Sequence, residues 1–382
     1  MITLFGHLEC LSPPSSGSIL LALTKNKHLP SALAKSKGYI ANDGEMPEGF
    51  GTIFHCTKPT SVSANAHHFL LPDNLRYLDE GDVIRVNLSD GSFRVLFRKT
   101  SGHNSILLTE QCNHYCLMCS QPPKNVDDSW ILGEATQLIK LIPQDTPEVG
   151  FTGGEPTLYG DQFINLLQLT KNYLPKTAIH ILSNGRAFQD IAYARKYAAI
   201  NHPDMMVGIP IYSDDPVRHD YVVQSKNALN ETIRGILNLK SLGQRVEIRV
   251  VIHKQTIDRL AQLCEFIARN LLFVDHVALM GLEITGFTRA NLDALWIDPH
   301  EYKDTLSQAV RLLESYGMNV SVYNHQRCLV NDDIMKAYRK SISDWKNEYL
   351  EECSGCTKLN ECGGLFLSAK QYKHSSHIMA FR

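Results

Sequence analysis

No stretch of this 382-residue sequence is apolar enough to cross a bilayer: the longest apolar run near its start is Ile19 to Leu23, against the twenty or so residues a spanning helix needs. Pro13, Pro14 and several serines precede that run where an export signal would carry a basic region, so a cleaved leader is not expected. Neither sign of charge is in surplus, with Lys plus Arg at 38 and Asp plus Glu at 40. That balance gives no reason to expect nucleic acid or an anionic membrane as the main partner. Low-complexity segments are absent, and no repeat appears beyond a strand–helix rhythm. A hydrophobic content of 43% with 20% charged residues suits an ordinary buried core. Together these features lead to the expectation of a cytoplasmic protein.

Cysteine is not scarce, but it is unevenly spread. Six of the ten cysteines fall in two tight triplets, Cys112, Cys116, Cys119 and Cys353, Cys356, Cys362, with Cys328 upstream of the second. A secreted disulfide scaffold is shorter and its cysteines are more evenly distributed, whereas clustered thiols in a reducing compartment read as metal ligands. Cys264 lies on the apolar stripe of a helix and reads as core; Cys10 and Cys56 have no partner spacing.

The first hundred residues are rich in Gly, Pro, Ser and His, and show little helical periodicity. Asp82 to Asn87 alternates as a strand, Ser89 to Gly91 reads as a turn, and Phe93 to Phe97 as a second strand. Beyond residue 104 the rhythm changes. Strands are expected at 105–108, 149–152, 178–182, 205–212, 246–252 and 276–280, each followed by a helical stripe. Strict alternation implies parallel strands with right-handed crossovers, and six units instead of eight imply an open, partial barrel. The expected fold is therefore α/β: a partial (β/α)6 TIM-like barrel over 104–318, a small β-rich domain over 1–103 and a Cys-rich domain over 319–382, with a further helix from about 331 to 346.

In such folds chemistry sits on the loops at the carboxyl ends of the strands. Cys112 to Cys119 follow the first strand, Gly153-Gly154-Glu155-Pro156 the second, Ser183-Asn184-Gly185 the third, and Tyr212-Ser213 the fourth. A four-iron cluster normally takes four cysteines. Three leave one iron open to a substrate or cofactor. Zinc also takes closely spaced cysteines but wants a fourth ligand, and His114, inside the loop, is cramped for that role. Unrelated core cysteines are the third reading. For Ser183-Asn184-Gly185 the alternative is a plain turn, and for Arg249, on the fifth strand, a salt bridge at the barrel rim.

The Cys112–Cys116–Cys119 spacing, followed by Gly153 to Pro156 after the next strand, resembles the radical S-adenosylmethionine (SAM) superfamily over about residues 104 to 318. The resemblance implies a [4Fe–4S] cluster on the three cysteines, SAM chelated to the open iron, and reductive cleavage of SAM to a 5′-deoxyadenosyl radical that takes a hydrogen atom from a substrate. It further implies that Gly153, Gly154 and Glu155 meet the methionyl amino group, and that Ser183, Asn184, Tyr212 and Ser213 lie near the ribose and the methionyl carboxylate. Arg249 is a carboxylate candidate because its fork matches that group. Met118 stands where the family usually has an aromatic residue beside adenine.

Cys353-x2-Cys356-x5-Cys362 with Cys328 resembles the auxiliary-cluster domains of peptide-modifying members, in a shortened form: Phe366 stands where the longer version has another cysteine. A second [4Fe–4S] cluster is implied, with structural zinc as the alternative. The run Leu107 to Lys124 looks like the C-type maturase of the His-Xaa-Ser peptide system. That narrower resemblance implies a ribosomally made peptide with His-Xaa-Ser repeats as substrate. It also implies, as partners, a second radical maturase, a small accessory protein and an electron donor of flavodoxin or ferredoxin type. The competing functions are a radical enzyme acting on a small molecule and a noncatalytic zinc-binding scaffold.

Overall fold

The computed structural model describes residues 3–42, 46–340 and 347–382. The chain divides into two compact units: Met1–Ile106 with Leu132–Val149 and Leu169–Thr177, and Leu107–Ile131 with Gly150–Gln168 and Ala178–Arg382.

The first unit holds β1 (Phe5–His7), β2 (Glu9–Cys10), β3 (Ser18–Thr24), β4 (Lys37–Ala41), β5 (Thr52–His55), β6 (His67–Leu70), β7 (Val83–Asn87) and β8 (Ser92–Phe97). The hydrogen-bonded order is β1-β8-β7-β3-β4-β5-β6-β2. Its two ends, β1 and β2, are one continuous stretch of chain. Leu8 N–H bonds Gly91 O and Leu11 N–H bonds His68 O, each at 2.8–2.9 Å, so the sheet closes on itself through residues 5–11. Closure removes the unpaired edges on which a sheet aggregates. Leu21, Leu23, Ile40, Phe54, Phe69, Ile84, Val86 and Phe93 fill the interior, each contributing about 1.5–3 kcal/mol of burial. The expected turn between β7 and β8 is present, with Gly91 at φ 71° and its N–H on Asn87 O. A Cβ there would strike Leu8 O, so the turn and the closure depend on the same glycine.

The second sheet contains β9 (Asn104–Leu107), β10 (Glu148–Thr152), β11 (Ala178–Leu182), β12 (Met205–Pro210), β13 (Arg245–Ile252), β14 (His276–Gly281) and β15 (Val320–Tyr323). The strands lie in sequential order, and β11 to β15 pair parallel. Helices Ser129–Ile139, Asp161–Tyr173, Ile191–Ala199, Ala228–Ser241, Leu260–Asn270 and Pro299–Ser315 supply the crossovers. The last begins on an Asp298 cap that accepts His300 N–H, with Pro299 at its first position, where a missing N–H costs nothing. The fold is thus the expected α/β architecture with one more strand than the six read from sequence. β15, Val320-Ser321-Val322-Tyr323, alternates with period 2 and falls in the short extended stretch expected from about 318 through Cys328, but four residues were too few to read as a further strand of the sheet.

The two faces of this sheet differ. Ile179 and Ile181 of β11, and Val246, Ile248, Val250 and Ile252 of β13, are sealed; the alternate residues His180, Leu182, Arg249 and Val251 are half-buried. The helix expected from 331 is absent over the described part. Asp332–Ile334 is a single 3-10 turn, and Tyr338 instead bridges to Val322. Residues 341–346 of that expectation lie outside the described residues.

Candidate active site

The Cys112–Cys119 loop leaves β9 and is fixed by backbone bonds to the segment after β10. Leu108 N–H donates to Thr152 O at 2.9 Å, Gly154 N–H to Thr109 O at 2.8 Å, and Glu155 N–H to Gln111 O at 2.8 Å. The two chains run so close that side chains are excluded. A Cβ on Gly153 would sit 2.5 Å from Thr109 O, and one on Gly154 would sit 2.5 Å from the Gln111 carbonyl carbon and 3.1 Å from Cys112 Cβ. Both glycines are therefore required by the approach of the cysteine loop, independently of any ligand.

Asp128 clamps the base of the loop. Its carboxylate accepts from Thr109 Oγ1 (3.0 Å), the Glu110 N–H, Gln111 Nε2 (3.3 Å) and Tyr159 Oη (2.9 Å). Burial pushes the Asp128 carboxyl up, but these four donors outweigh it and hold it below the usual carboxylate range. On the far side, Thr288 Oγ1 donates to Met118 O and Asn291 Nδ2 to Leu117 O, and Phe287 N–H bonds Cys119 O. Gly286, at φ 52°, has no room for a Cβ beside Cys119 O. Met118 is buried in an apolar cluster with Tyr212, Val222, Val223, Ala228 and Leu295, against which Cys116 packs.

Glu155 is wholly buried. Its carboxylate accepts from Thr157 N–H (3.0 Å), Thr157 Oγ1 (2.6 Å), Ser183 Oγ (2.8 Å) and Asn184 N–H (2.6 Å). Burial raises its pKa against the opposing pull of those bonds. The loop after β10 is thereby tied to the loop after β11. Asn184 Nδ2 extends the tie to Asn113 Oδ1 in the cysteine loop at 2.6 Å. Pro156 opens a short 3-10 turn that Glu155 caps. Tyr212 and Ser213 follow β12: Tyr212 N–H donates to His219 Nδ1 at 3.2 Å, and Ser213 Oγ accepts Asp215 N–H at 3.1 Å. Burial raises the Tyr212 phenol well above its usual value, and its ring belongs to the apolar cluster against which Cys116 packs. Arg249 Nη1 donates to Glu247 Oε1 at 2.7 Å.

The three thiols are free and close enough to perturb one another. Burial pushes Cys112 up to about 12, and Cys116 and Cys119 also rise. Thiols kept protonated by burial become ligands once a cation repays their ionisation. The His114 N–H donates to Cys112 Sγ at 3.4 Å, the kind of bond that tunes an iron–sulfur ligand. Burial holds the His114 ring well below its usual pKa, at about 3. The donor set, three thiols on one loop with an N–H on sulfur, fits a cluster with one iron left open.

The C-terminal cysteines converge as well. Cys328, Cys353, Cys356 and Cys362 line one cavity, together with Leu359, Leu365 and Phe381. Arg327 N–H (3.3 Å) and Gly364 N–H (3.4 Å) point at Cys362 Sγ, and Phe381 N–H (3.4 Å) at Cys356 Sγ. Among the described residues no three Cys, His, Asp or Glu side chains are grouped as they would be around a single metal ion; the four thiols lining this cavity, with backbone donors on the sulfurs, would instead suit a larger group such as a cluster. Cys328, the weakest expectation from spacing, joins the set because the turn Arg327–Leu329 directly follows the loop after β15. Phe366 caps the final short helix.

Several residues of the site carry no motif. Asp128 was legible only as one of two adjacent acids, Asp127 and Asp128, ahead of a helix. Glu247 and Arg249 were signalled by two charges at i and i+2 inside an otherwise Val/Ile strand, a pattern that puts both on one face.

The Radical SAM superfamily profile matches residues 106–267. GTP 3′,8-cyclase of Helicobacter pylori (strain HPAG1) is 23% identical over 229 residues, covering 57% of this chain and 67% of that protein. GTP 3′,8-cyclase of Haemophilus influenzae (strain PittGG) is 27% identical over 170 residues, covering 43% and 48%. Among solved structures, native anSMEcpe with bound AdoMet and the Cp18Cys peptide superposes with a TM-score of 0.50 at 15% identity, covering 72% of this chain and 92% of that one. Streptococcus suis SuiB bound to S-adenosylmethionine gives 0.48 at 16% identity, covering 59% and 51%. This chain therefore spans about half of SuiB and between about half and two thirds of the cyclases. Members of the superfamily are enzymes that use a [4Fe–4S] cluster and SAM. Over residues 106–267 this chain is similar to the radical SAM superfamily.

Proposed function

We propose that this protein is a radical SAM enzyme that modifies a ribosomally made peptide of the His-Xaa-Ser repeat type. When bound, a [4Fe–4S] cluster and SAM supply a 5′-deoxyadenosyl radical able to remove a hydrogen atom from a substrate. Cys112, Cys116 and Cys119 are the residues to hold that cluster. The Gly153 to Pro156 segment faces the methionyl amino group, and Ser183, Asn184, Tyr212, Ser213 and Arg249 serve the ribose and carboxylate. The buried placement of Met118 and Tyr212 keeps water from the radical. The observation that carries the peptide reading is the second thiol set, Cys328, Cys353, Cys356 and Cys362, around one cavity. A fully ligated cluster there has no open iron and serves electron transfer. A second radical maturase, a small accessory protein and a flavodoxin- or ferredoxin-type donor complete the system.

The test is anaerobic reconstitution with iron and sulfide counted, then reduction with SAM and a synthetic His-Xaa-Ser repeat peptide. About eight irons per chain, 5′-deoxyadenosine and a mass change in the peptide are expected. The cyclase relatives favour a second reading, a small-molecule substrate; 5′-deoxyadenosine formed faster with GTP than with peptide would establish it. Zinc with no iron, and no cleavage of SAM, would leave only a zinc-binding scaffold.

A further inference from the structure

The half-buried face of the second sheet carries a charged cluster that no ligand motif includes. Glu247, on β13, is 5% exposed at its side chain and is surrounded by three basic groups. Arg249 Nη1 donates to its Oε1 at 2.7 Å, His276 Nδ1 donates to its Oε2 at 2.7 Å, and His180 Nε2 stands 3.5 Å from Oε1. His276 is held in turn by Ser321, whose Oγ meets Nε2 at 2.9 Å. The five residues come from β11, β13, β14 and β15. Between them, β12 contributes Gly208, where a Cβ would lie 3.0 Å from both Arg249 Cδ and His180 Nε2. A side chain at 208 would therefore part the cluster.

Burial pushes the Glu247 carboxyl up, but the His180 and His276 rings and the Arg249 charge outweigh it and hold it well below the usual carboxylate range. It is an anion whose position is over-determined. Arg249 is the opposite case. Of its five N–H groups, one is satisfied by Glu247, and Nη2 meets only the thioether of Met280 at 3.2 Å, a weak acceptor. Its side chain remains 17% exposed. Val251, two residues on and on the same face of β13, packs against the cluster of Met118 and Tyr212 that Cys116 also joins, which puts Arg249 on the side of the sheet toward the cysteine loop. A guanidinium held on one edge, under-satisfied on the other and facing the cysteine loop is arranged to receive an oxygen anion.

We propose that Glu247, locked by His276, is a positioning residue that aims the free N–H edge of Arg249 at the methionyl carboxylate of SAM. Glu247 does not touch the ligand. It fixes the guanidinium so that no rotamer freedom is lost on binding. This rests on the radical SAM reading above and assigns a role to a residue outside the superfamily motifs.

Equilibrium binding of SAM and of decarboxylated SAM to anaerobically reconstituted protein tests it, with iron content and melting temperature recorded for each variant. Wild type should prefer SAM to its decarboxylated analogue. Arg249→Met should abolish that preference. Glu247→Gln should weaken SAM binding about tenfold, the scale of one charge-assisted bond, and leave the decarboxylated analogue unaffected. Adding Glu247→Gln to Arg249→Met should change SAM affinity no further, because the residue acts through Arg249. Should Glu247→Gln fail to fold, Ser321→Ala, which frees only the outer nitrogen of His276, should show the same selective loss at about two- to threefold. A Glu247 or Ser321 variant that weakens both ligands equally, or only lowers the melting temperature, overturns the proposal and makes the cluster a structural one. Wild-type protein that loads iron but binds neither ligand overturns the functional reading itself.

Discussion

Gly154→Ala adds one methyl group at the point where the loop after β10 touches the cysteine loop. The new Cβ would lie 2.5 Å from the Gln111 carbonyl carbon and 3.1 Å from Cys112 Cβ. Restoring an ordinary carbon–carbon contact of about 3.5 Å moves the Gln111 peptide by about 1 Å. That peptide accepts the Glu155 N–H at 2.8 Å, and Glu155 N–H has no water to fall back on, so losing the bond costs about 1–3 kcal/mol. Overpacking adds about 1–3 kcal/mol. Cys112 follows the displaced peptide directly, so the damage falls on the geometry of the three thiols more than on global stability. The assay is iron per chain after anaerobic reconstitution, with 5′-deoxyadenosine formation. The variant should lose the irons of the first site, retain those of the second, and fail to cleave SAM. Gly133→Ala is the control: it sits in the helix Ser129–Ile139 with nothing within 4 Å of a new Cβ, and should gain about 0.5–1 kcal/mol from helix propensity with full activity. Wild-type iron content and cleavage in Gly154→Ala would refute the claim that close backbone approach sets the cluster loop.

Asp128→Ala strips the acceptor from Thr109 Oγ1, the Glu110 N–H and Tyr159 Oη. It should cost about 2–4 kcal/mol and lower iron occupancy of the first site, read by calorimetry and iron assay; an unchanged melt would count against the clamp. Burial holds His219 at about 4, His253 at about 3 and His325 at about 4, below the usual 6.5. A histidine whose folded pKa is depressed favours the native state above about 6.5 and loses that contribution as pH falls, so between pH 7 and 5 each should cost about 2 kcal/mol. Thermal melts should fall over that window, less steeply in His325→Gln, and a flat profile would contradict the buried neutral rings. Residues 347–366 contain only 3-10 turns and one bridge, so their order should depend on the metal; chelation should expose Lys358 to trypsin, and equal cleavage with and without metal would show that the region holds itself.

The strand–helix alternation from 104 onward was legible because each strand is a short Val/Ile-rich run and each helix carries a clean apolar stripe. Leu229, Ile236 and Leu239, or Leu260, Leu263 and Ile267, are buried on one face as the 3.6 period requires. What pattern reading missed was tertiary in origin. β15 is four residues long, and its pairing with β14 is what makes it a seventh strand of the sheet. The closed sheet of the first unit was readable only as two strands and a turn, since closure depends on residues 5–11 meeting β8 and β6, partners some sixty to ninety positions away in the chain. No local signal encodes a contact of that span.

The cysteine loop was legible because thiolate spacing is a chemical requirement that leaves a mark in sequence. The residues that hold the loop are bound by weaker rules. Asp128 and Thr288 need only offer an oxygen at the right place, and many residue types elsewhere could do the same. Glu155 shows how a motif residue can hide its work: the sequence assigned it to a ligand, yet its carboxylate is occupied by Thr157, Ser183 and Asn184, which makes it the knot joining two loops.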